Sequence, residues 1–262
     1  MEYVTDRNEA GLPVVSGPDW PGVRYFCTTR GGGVGTAPHD TLNLGLRAGD
    51  RPEAVAENRR RLRAALPAEP LWLRQVHGAE VVDADRHRDL PGGHDAEPAA
   101  DASVTATPGR VLAAMAADCL PVVMADDRGT VLGVAHAGWR GLAAGVLEQT
   151  LRALRTKAPR ATAWRAWVGP GIGPQAFEVG ADVLQAFAAD GPEAAALFVP
   201  RPGLPGKWLA DLPGLARLRL RRAGVAEPAS SGLCTVTDTR FFSYRRDRET
   251  GRMALLAWLE PR

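Results

Sequence analysis

A chain of 262 residues, 45% hydrophobic and 24% charged, can bury a sizeable core, which excludes a disordered chain or a small cystine-stapled scaffold. Its net charge of +2 supplies no field that calls for nucleic acid or an acidic membrane surface. The positive charge is almost all arginine, Lys157 and Lys207 being the only lysines, and it is spread along the whole chain. Residues 23–28 read as a short strand and 29–35 as a glycine-rich loop. Arg51-Pro52-Glu53 opens a helix through Val55, Asn58, Leu62 and Ala65 that stops at Pro67. Residues 71–76 predict a strand that delivers His77 to a turn permitted by Gly78, and residues 89–99, rich in proline and glycine, a loop. Three apolar runs, 111–116, 120–125 and 131–135, have strand length. Residues 141–155 put Leu142, Val146, Leu147, Leu151 and Leu154 on or near one helix face. A strand at 164–168 ends in the turn 169–174, helices follow at 181–189 and 209–223, and strands at 234–238 and 253–259 close the chain. There is no repeat and no regular βαβ alternation, so the expected class is α+β, in one domain spanning 1–262.

Cys27, Cys119 and Cys234 are odd in number and far apart, which suits a reducing compartment better than a disulfide framework. The first ten residues lack the basic-then-apolar order of a secretion signal. The run 111–125 is broken by Asp118 and too short to span a bilayer, so a cytoplasmic location is expected.

Of five histidines, His77 and His136 sit beside turns where a ring can be held rigidly, and Cys119 lies between two apolar runs. Two imidazoles and a thiolate suit Zn²⁺ and leave a fourth position open. The long-range spacing carries none of the short ligand patterns of a zinc motif. The same residues read equally as a small buried thiol and two packed histidines, or as a thiol nucleophile activated by an imidazole. Asp118 is either a turn residue or an acid/base group beside the thiol. The loop Thr28 to Gly35 offers backbone N–H groups and Arg30 to an anion, or is simply a tight turn. His39, His87 and His94 fall in polar loops and read as solvated; Cys27 and Cys234 read as core.

These segments, taken in order, resemble the YfiH/laccase-domain proteins. The matching stretches are Thr28-Thr29-Arg30-Gly31-Gly32, Asn43-Leu44-Gly45, Gly49-Asp50 with Asn58-Arg59, Gln75-Val76-His77-Gly78 and Ala117-Asp118-Cys119-Leu120-Pro121. The rest are His136-Ala137-Gly138-Trp139-Arg140-Gly141, Gly169-Pro170-Gly171-Ile172-Gly173, Glu178-Val179-Gly180, and Phe242-Ser243-Tyr244-Arg245-Arg246 with Gly251-Arg252. The resemblance implies a layered α/β/β/α fold and a metal held by His77, Cys119 and His136, zinc by ligand type with copper as the alternative. It also implies phosphorolysis of adenosine, inosine, guanosine or methylthioadenosine, and adenosine deamination, with a purine nucleoside and phosphate as small-molecule partners. In that frame Asp118 is the nearest acid/base, Arg30 the candidate phosphate ligand and Asn43 a polar partner for sugar or base. Editing of a peptidoglycan precursor and copper-dependent polyphenol oxidation are the other activities credited to the family. Five histidines with no His-x-His pair argue against an oxidase with a trinuclear copper cluster. The chain departs from the family pattern at Gly35, Ala116 and Ala176-Phe177, none of which is a metal ligand.

Overall fold

The computed structural model describes residues 3–87 and 97–261. In chain order the first elements are β1 (Val4–Arg7), β2 (Pro13–Ser16), β3 (Val23–Thr28), α1 (Pro52–Arg63), β4 (Val81–Asp83), β5 (Ala102–Thr105), β6 (Leu112–Ala116), β7 (Leu120–Asp126) and β8 (Leu132–Ala137). Then come α2 (Trp139–Ala143), α3 (Val146–Lys157), β9 (Trp164–Val168), β10 (Glu178–Val179), α4 (Ala181–Ala186), α5 (Pro192–Ala195), β11 (Phe198–Pro200) and β12 (Trp208–Ala210). The last are α6 (Leu212–Arg222), β13 (Ala229–Ser230), α7 (Tyr244–Asp247) and β14 (Met253–Leu259).

The described strands form three sheets. One is five-stranded and antiparallel, in the order β1-β2-β3-β14-β6. The second is six-stranded, in the order β13-β9-β7-β8-β5-β4, with parallel pairs at its two edges. A small third sheet orders β10-β12-β11. The class is the expected α+β.

Alternate side chains of one strand feed two different cores, which is why the strand sequences are apolar without a break. Leu120, Val122 and Met124 of β7 pack with Leu147, Leu151 and Leu154 of α3 and with Leu215 and Leu220 of α6. Val123 and Ala125 of the same strand face the other large sheet, meeting Trp167, Leu112, Leu255 and Ala257. On the far side of that sheet, Leu256, Ala113 and Phe26 cover Leu62 at the end of α1 and Leu66 beyond it. The layers therefore run helix, sheet, sheet, helix, as the resemblance implied. Among the described residues no helix is long and apolar enough to cross a membrane.

Several expected elements fall otherwise. Residues 71–76 are not a strand: Leu71 and Arg74 make single bridges to Leu112 and Ala99, and a side chain replaces the rest of the ladder. The Gln75 amide donates to the Met115 carbonyl (2.8 Å) and accepts the Met115 N–H (2.7 Å). The helix expected at 141–155 is split into α2 and α3 by Gly145, whose φ of +89° suits glycine. The expected helix at 209–223 starts at Leu212, because Leu209 lies in β12 and Asp211 caps the helix through the Gly214 N–H. At 181–189, α4 ends at Ala186 and a 3₁₀ turn follows at Ala188–Asp190. Residues 234–238 form a turn closed by the Asp238 N–H on the Cys234 carbonyl (2.9 Å). Their β-branched composition is outweighed by the Thr235 hydroxyl bond to Asp118.

Lys157, at the end of α3, lies between Asp83 (2.6 Å) and Asp85 (2.7 Å) and ties that helix to the β4 edge. Burial pushes the Asp85 carboxyl up. Lys157, the Thr105 hydroxyl and the Ala106 N–H outweigh it and hold the group at about 2. A folded-state pKa below the unfolded value of about 3.9 stabilises above that pH and is lost as the pH falls towards 2. Allowing for solvent screening of this partly exposed pair, Asp85→Asn is expected to cost about 1 kcal/mol at pH 7 and nothing measurable at pH 2. Urea unfolding at the two pH values checks it, and an equal loss at both would refute the assignment.

Candidate active site

The chain crosses from the five-stranded to the six-stranded sheet between β6 and β7, and that crossing carries Asp118 and Cys119. Asp118 takes the left-handed conformation (φ +90°), the tight geometry that turns the Cys119 side chain towards the neighbouring strand end. His136 stands on β8, paired with Pro121 of β7, and Asp101 immediately precedes β5, whose Ala102 pairs with Ala135. His77 comes from the loop before β4, also left-handed at φ +60°.

His77, Cys119, His136 and Asp101 converge. Ligand atoms of His77, Cys119 and His136 all lie within 4.8 Å of one another, and Cys119 Sγ is 3.9 Å from His77 Nε2. The two rings meet edge to face with centroids 4.8 Å apart. A tetrahedral zinc site with Zn–S near 2.3 Å and Zn–N near 2.0 Å needs a sulfur–nitrogen separation of about 3.6 Å. The Cys119–His77 pair is within a few tenths of an ångström of that separation, and a spacing of up to 4.8 Å across the set closes on a divalent metal with side-chain movement of about 1 Å. His77 is exposed, Cys119 half-buried and His136 buried, so the group lies at a cavity floor with one open side.

Asp101 organises the set and was not anticipated from the sequence. Its fully buried carboxylate accepts four hydrogen bonds. At Oδ1 it takes His136 Nδ1–H (2.8 Å) and the His77 N–H (2.9 Å); at Oδ2 it takes the N–H groups of Val76 (3.1 Å) and Gly78 (2.7 Å). A carboxylate that accepts from Nδ1 fixes the proton there and leaves Nε2 with its lone pair for a metal. Burial pushes the Asp101 carboxyl up, but His136 and the loop N–H groups prevail and hold it below the usual range. Burial likewise raises the Cys119 thiol and the two imidazoles overcome it, bringing it down to about 6. His136 moves the other way: burial lowers it, the Cys119 sulfur and Asp101 raise it more, and it reaches about 9.

Glycines make room for this. A methyl on Gly138 would sit 2.8 Å from Cys119 Sγ and 3.1 Å from His77 Cδ2, and one on Gly141 would meet the Gly78 carbonyl at 2.7 Å. The cavity beside the ligands measures about 430 Å³, within the range for small-molecule sites. Its apolar walls include Leu73, Met115, Ile172 and Phe177, and Trp139 and the half-exposed Tyr244 add aromatic surface.

Residues 24–260 match the family described as multi-copper polyphenol oxidoreductase laccase. The chain belongs to this YfiH-type laccase family. A Pseudomonas aeruginosa member named purine nucleoside phosphorylase PA4543 is 50% identical over 93% of this chain and 97% of its own length. Purine nucleoside phosphorylase YfiH of Escherichia coli is 48% identical over 92% and 97%. The crystal structure of Neisseria meningitidis protein NMB0706 superposes with a TM-score of 0.83 at 43% identity, covering all of both chains.

Within this family frame, the structure redistributes the other expected residues. Asp118 lines the cavity; its Oδ1 accepts from the Thr235 hydroxyl (2.6 Å) and its Oδ2 from the Arg245 N–H (2.6 Å). Arg30 is not among the cavity-lining residues. Its guanidinium binds the Asp40 carbonyl and carboxylate, each at 2.8 Å, and covers the ring of the fully buried Phe242. The glycine-rich loop is a folded turn most of whose N–H groups are already spent. Gly31 donates to Thr29, Gly33 to the Thr41 hydroxyl, Val34 to Asn58 and Gly35 to the Thr41 carbonyl.

Asn43 is fully buried and also off the cavity lining, accepting from the N–H groups of Gly45 (2.9 Å) and Arg252 (2.8 Å). His39 is buried rather than solvated, with Nε2 2.8 Å from the Ala48 carbonyl. His87 is half-buried, and His94 lies outside the described residues. Cys27 is core as expected; Cys234 is half-buried and its sulfur accepts the Gly173 N–H (3.2 Å).

Proposed function

We propose that this protein is a metal-dependent purine nucleoside phosphorylase whose metal, zinc by ligand type, is held by His77, Cys119 and His136. The observation that carries the reading is the Asp101-braced convergence of those three side chains on the floor of a cavity of about 430 Å³. The names borne by relatives at about half identity over nearly the whole chain support the reaction class.

In phosphorolysis a phosphate oxygen bonds to C1′ of the ribose as the C1′–N9 bond breaks, and the electron pair leaves with the base, which takes up a proton. A metal bound at this set supplies Lewis acidity to a substrate oxygen. The chain's own residues do the rest. Leu73, Met115, Ile172 and Phe177 exclude water from the reacting bond, and Trp139 and Tyr244 offer aromatic faces to a purine. Asp118 is the acid/base candidate: two hydrogen bonds hold its carboxylate, and each oxygen keeps a lone pair for a substrate proton. Copper fits the same two imidazoles and thiolate. A trinuclear oxidase cluster does not fit, because His77, Cys119 and His136 are the one such metal-ligand group among the described residues.

Adenosine incubated with the metal-containing protein is expected to yield free adenine only when phosphate is present, with one zinc per chain by elemental analysis. Inosine as the product would shift the assignment to deamination. Formation of neither adenine nor inosine is the result that overturns the reading.

A further inference from the structure

Four arginines line the cavity, and three of them have other employment or lie in solvent. Arg47 is paired with Glu97 at 2.7 Å, Arg74 is exposed, and Arg245 donates to the Glu178 carbonyl (2.9 Å) while lying against the Phe177 ring. Arg252 differs. It is half-buried and forms no ion pair among the described residues; its Nη1 donates to the carbonyls of Thr250 (2.8 Å) and Gly251 (2.9 Å). Its Nε and Nη2 have no acceptor among those residues. A guanidinium drawn partly out of water without a counter-ion carries a desolvation cost, which a bound anion offsets.

The seat of Arg252 is built by two motifs that the metal leaves unexplained. Asn43 Oδ1 accepts the Arg252 N–H (2.8 Å), and the Leu44 N–H donates to the Arg252 carbonyl (3.0 Å). Gly45 has no side chain because a Cβ there would sit 2.6 Å from Arg252 Cγ; a Cβ on Gly251 would strike Phe242 at 2.7 Å and Asn43 Cβ at 2.9 Å. Asn43-Leu44-Gly45 and Gly251-Arg252 thus interlock to lay one arginine stem across the cavity wall. Burial draws this guanidinium down, and the negative charges of Cys119 and Asp118 oppose that, so the group sits within electrostatic reach of the ligand thiolate.

We infer that Arg252 is the phosphate anchor of the cavity, gripping inorganic phosphate through the Nε–Nη2 edge of its guanidinium, with Asn43 as the residue that positions it. The inference rests on the phosphorolysis reading and moves the anion ligand away from Arg30. A planar fork on two phosphate oxygens is the geometry that distinguishes arginine from lysine.

The test uses the zinc-loaded protein with inorganic phosphate as probe, by calorimetry and by steady-state kinetics. Arg252→Gln is expected to weaken phosphate binding and to raise the KM for phosphate by about 30-fold, the size of one or two lost charge-assisted hydrogen bonds. The KM for the nucleoside should move far less. Arg252→Lys keeps the stem over Gly45 and the charge, and is expected to recover part of the loss. Zinc content and melting temperature confirm that both variants are folded. Unchanged phosphate affinity in both overturns the anchor, and so does a wild-type protein that binds a nucleoside monophosphate but not free phosphate. Phosphorolysis with an unchanged phosphate KM in Arg252→Gln would refute the anchor and leave the activity standing. Arg252-dependent phosphate binding without phosphorolysis would do the reverse.

Discussion

Replacing His77 with Asn is expected to strip the metal and lower phosphorolysis by more than about 100-fold while the protein stays folded, since the loss of an outer partner alone costs 10–100-fold. The side chain is exposed, so removing it opens no cavity in the core. Its backbone sits at φ +60°, a region that Asn tolerates, and the N–H on Asp101 is a main-chain group that the substitution leaves in place. What is lost is one of three ligands. The variant also separates two chemistries that share the same residues. If Cys119 were a nucleophile activated by His136, that pair would survive intact, with the thiol still drawn down by the remaining imidazole. Zinc per chain and kcat/KM for adenosine with phosphate decide the matter. A His77→Asn protein that lacks metal yet turns over at the wild-type rate would end the metal mechanism.

Strand sequences were legible because the four-layer fold buries both faces of its central strands. Residues 111–116, 120–125, 131–135 and 253–259 carry unbroken apolar runs that declare themselves without partners. The pieces that misled are those whose pairing is made by side chains or decided by one dihedral. Gln75 finishes a ladder that a strand at 71–76 would have made, and Gly145 breaks a helix whose apolar pattern continues across the break. In the site, residue types alone left the three ligands open between metal, nucleophile and core, and the ordered family motifs selected the first.

Asp101 gave no comparable signal. It is one acid ahead of a four-residue strand, and its role exists only once the loop at 76–78 and β8 come together over it. Arg252 was visible within a motif but without a role, because an unpaired charge is a property of three-dimensional surroundings. The glycine-rich loop is the converse case: its composition suits an anion cradle, while the fold turns its N–H groups inward onto Thr29, Thr41 and Asn58.

Asp101→Asn tests that dependence on surroundings directly, through a group that touches neither metal nor substrate. The carboxylate presents acceptors to four donors, two on each oxygen, and an amide replaces one oxygen by a further donor. With the NH₂ at the Oδ2 position, it faces the N–H groups of Val76 and Gly78 and pushes the His77 loop away. With the NH₂ at the Oδ1 position, it faces the His77 N–H and His136 Nδ1. His136 then accommodates it only by accepting at Nδ1 and carrying its proton on Nε2, where the metal lone pair should be. Either arrangement is expected to cost 10–100-fold or more in zinc affinity and about 2–4 kcal/mol of metal-free stability from buried donors left facing donors. Chelator competition measures the first, urea unfolding the second, and the ¹⁵N shifts of the His136 ring report which nitrogen holds the proton. A variant that binds zinc as tightly as the wild type, with Nδ1 still protonated, would show that the His136 tautomer is fixed by something other than Asp101.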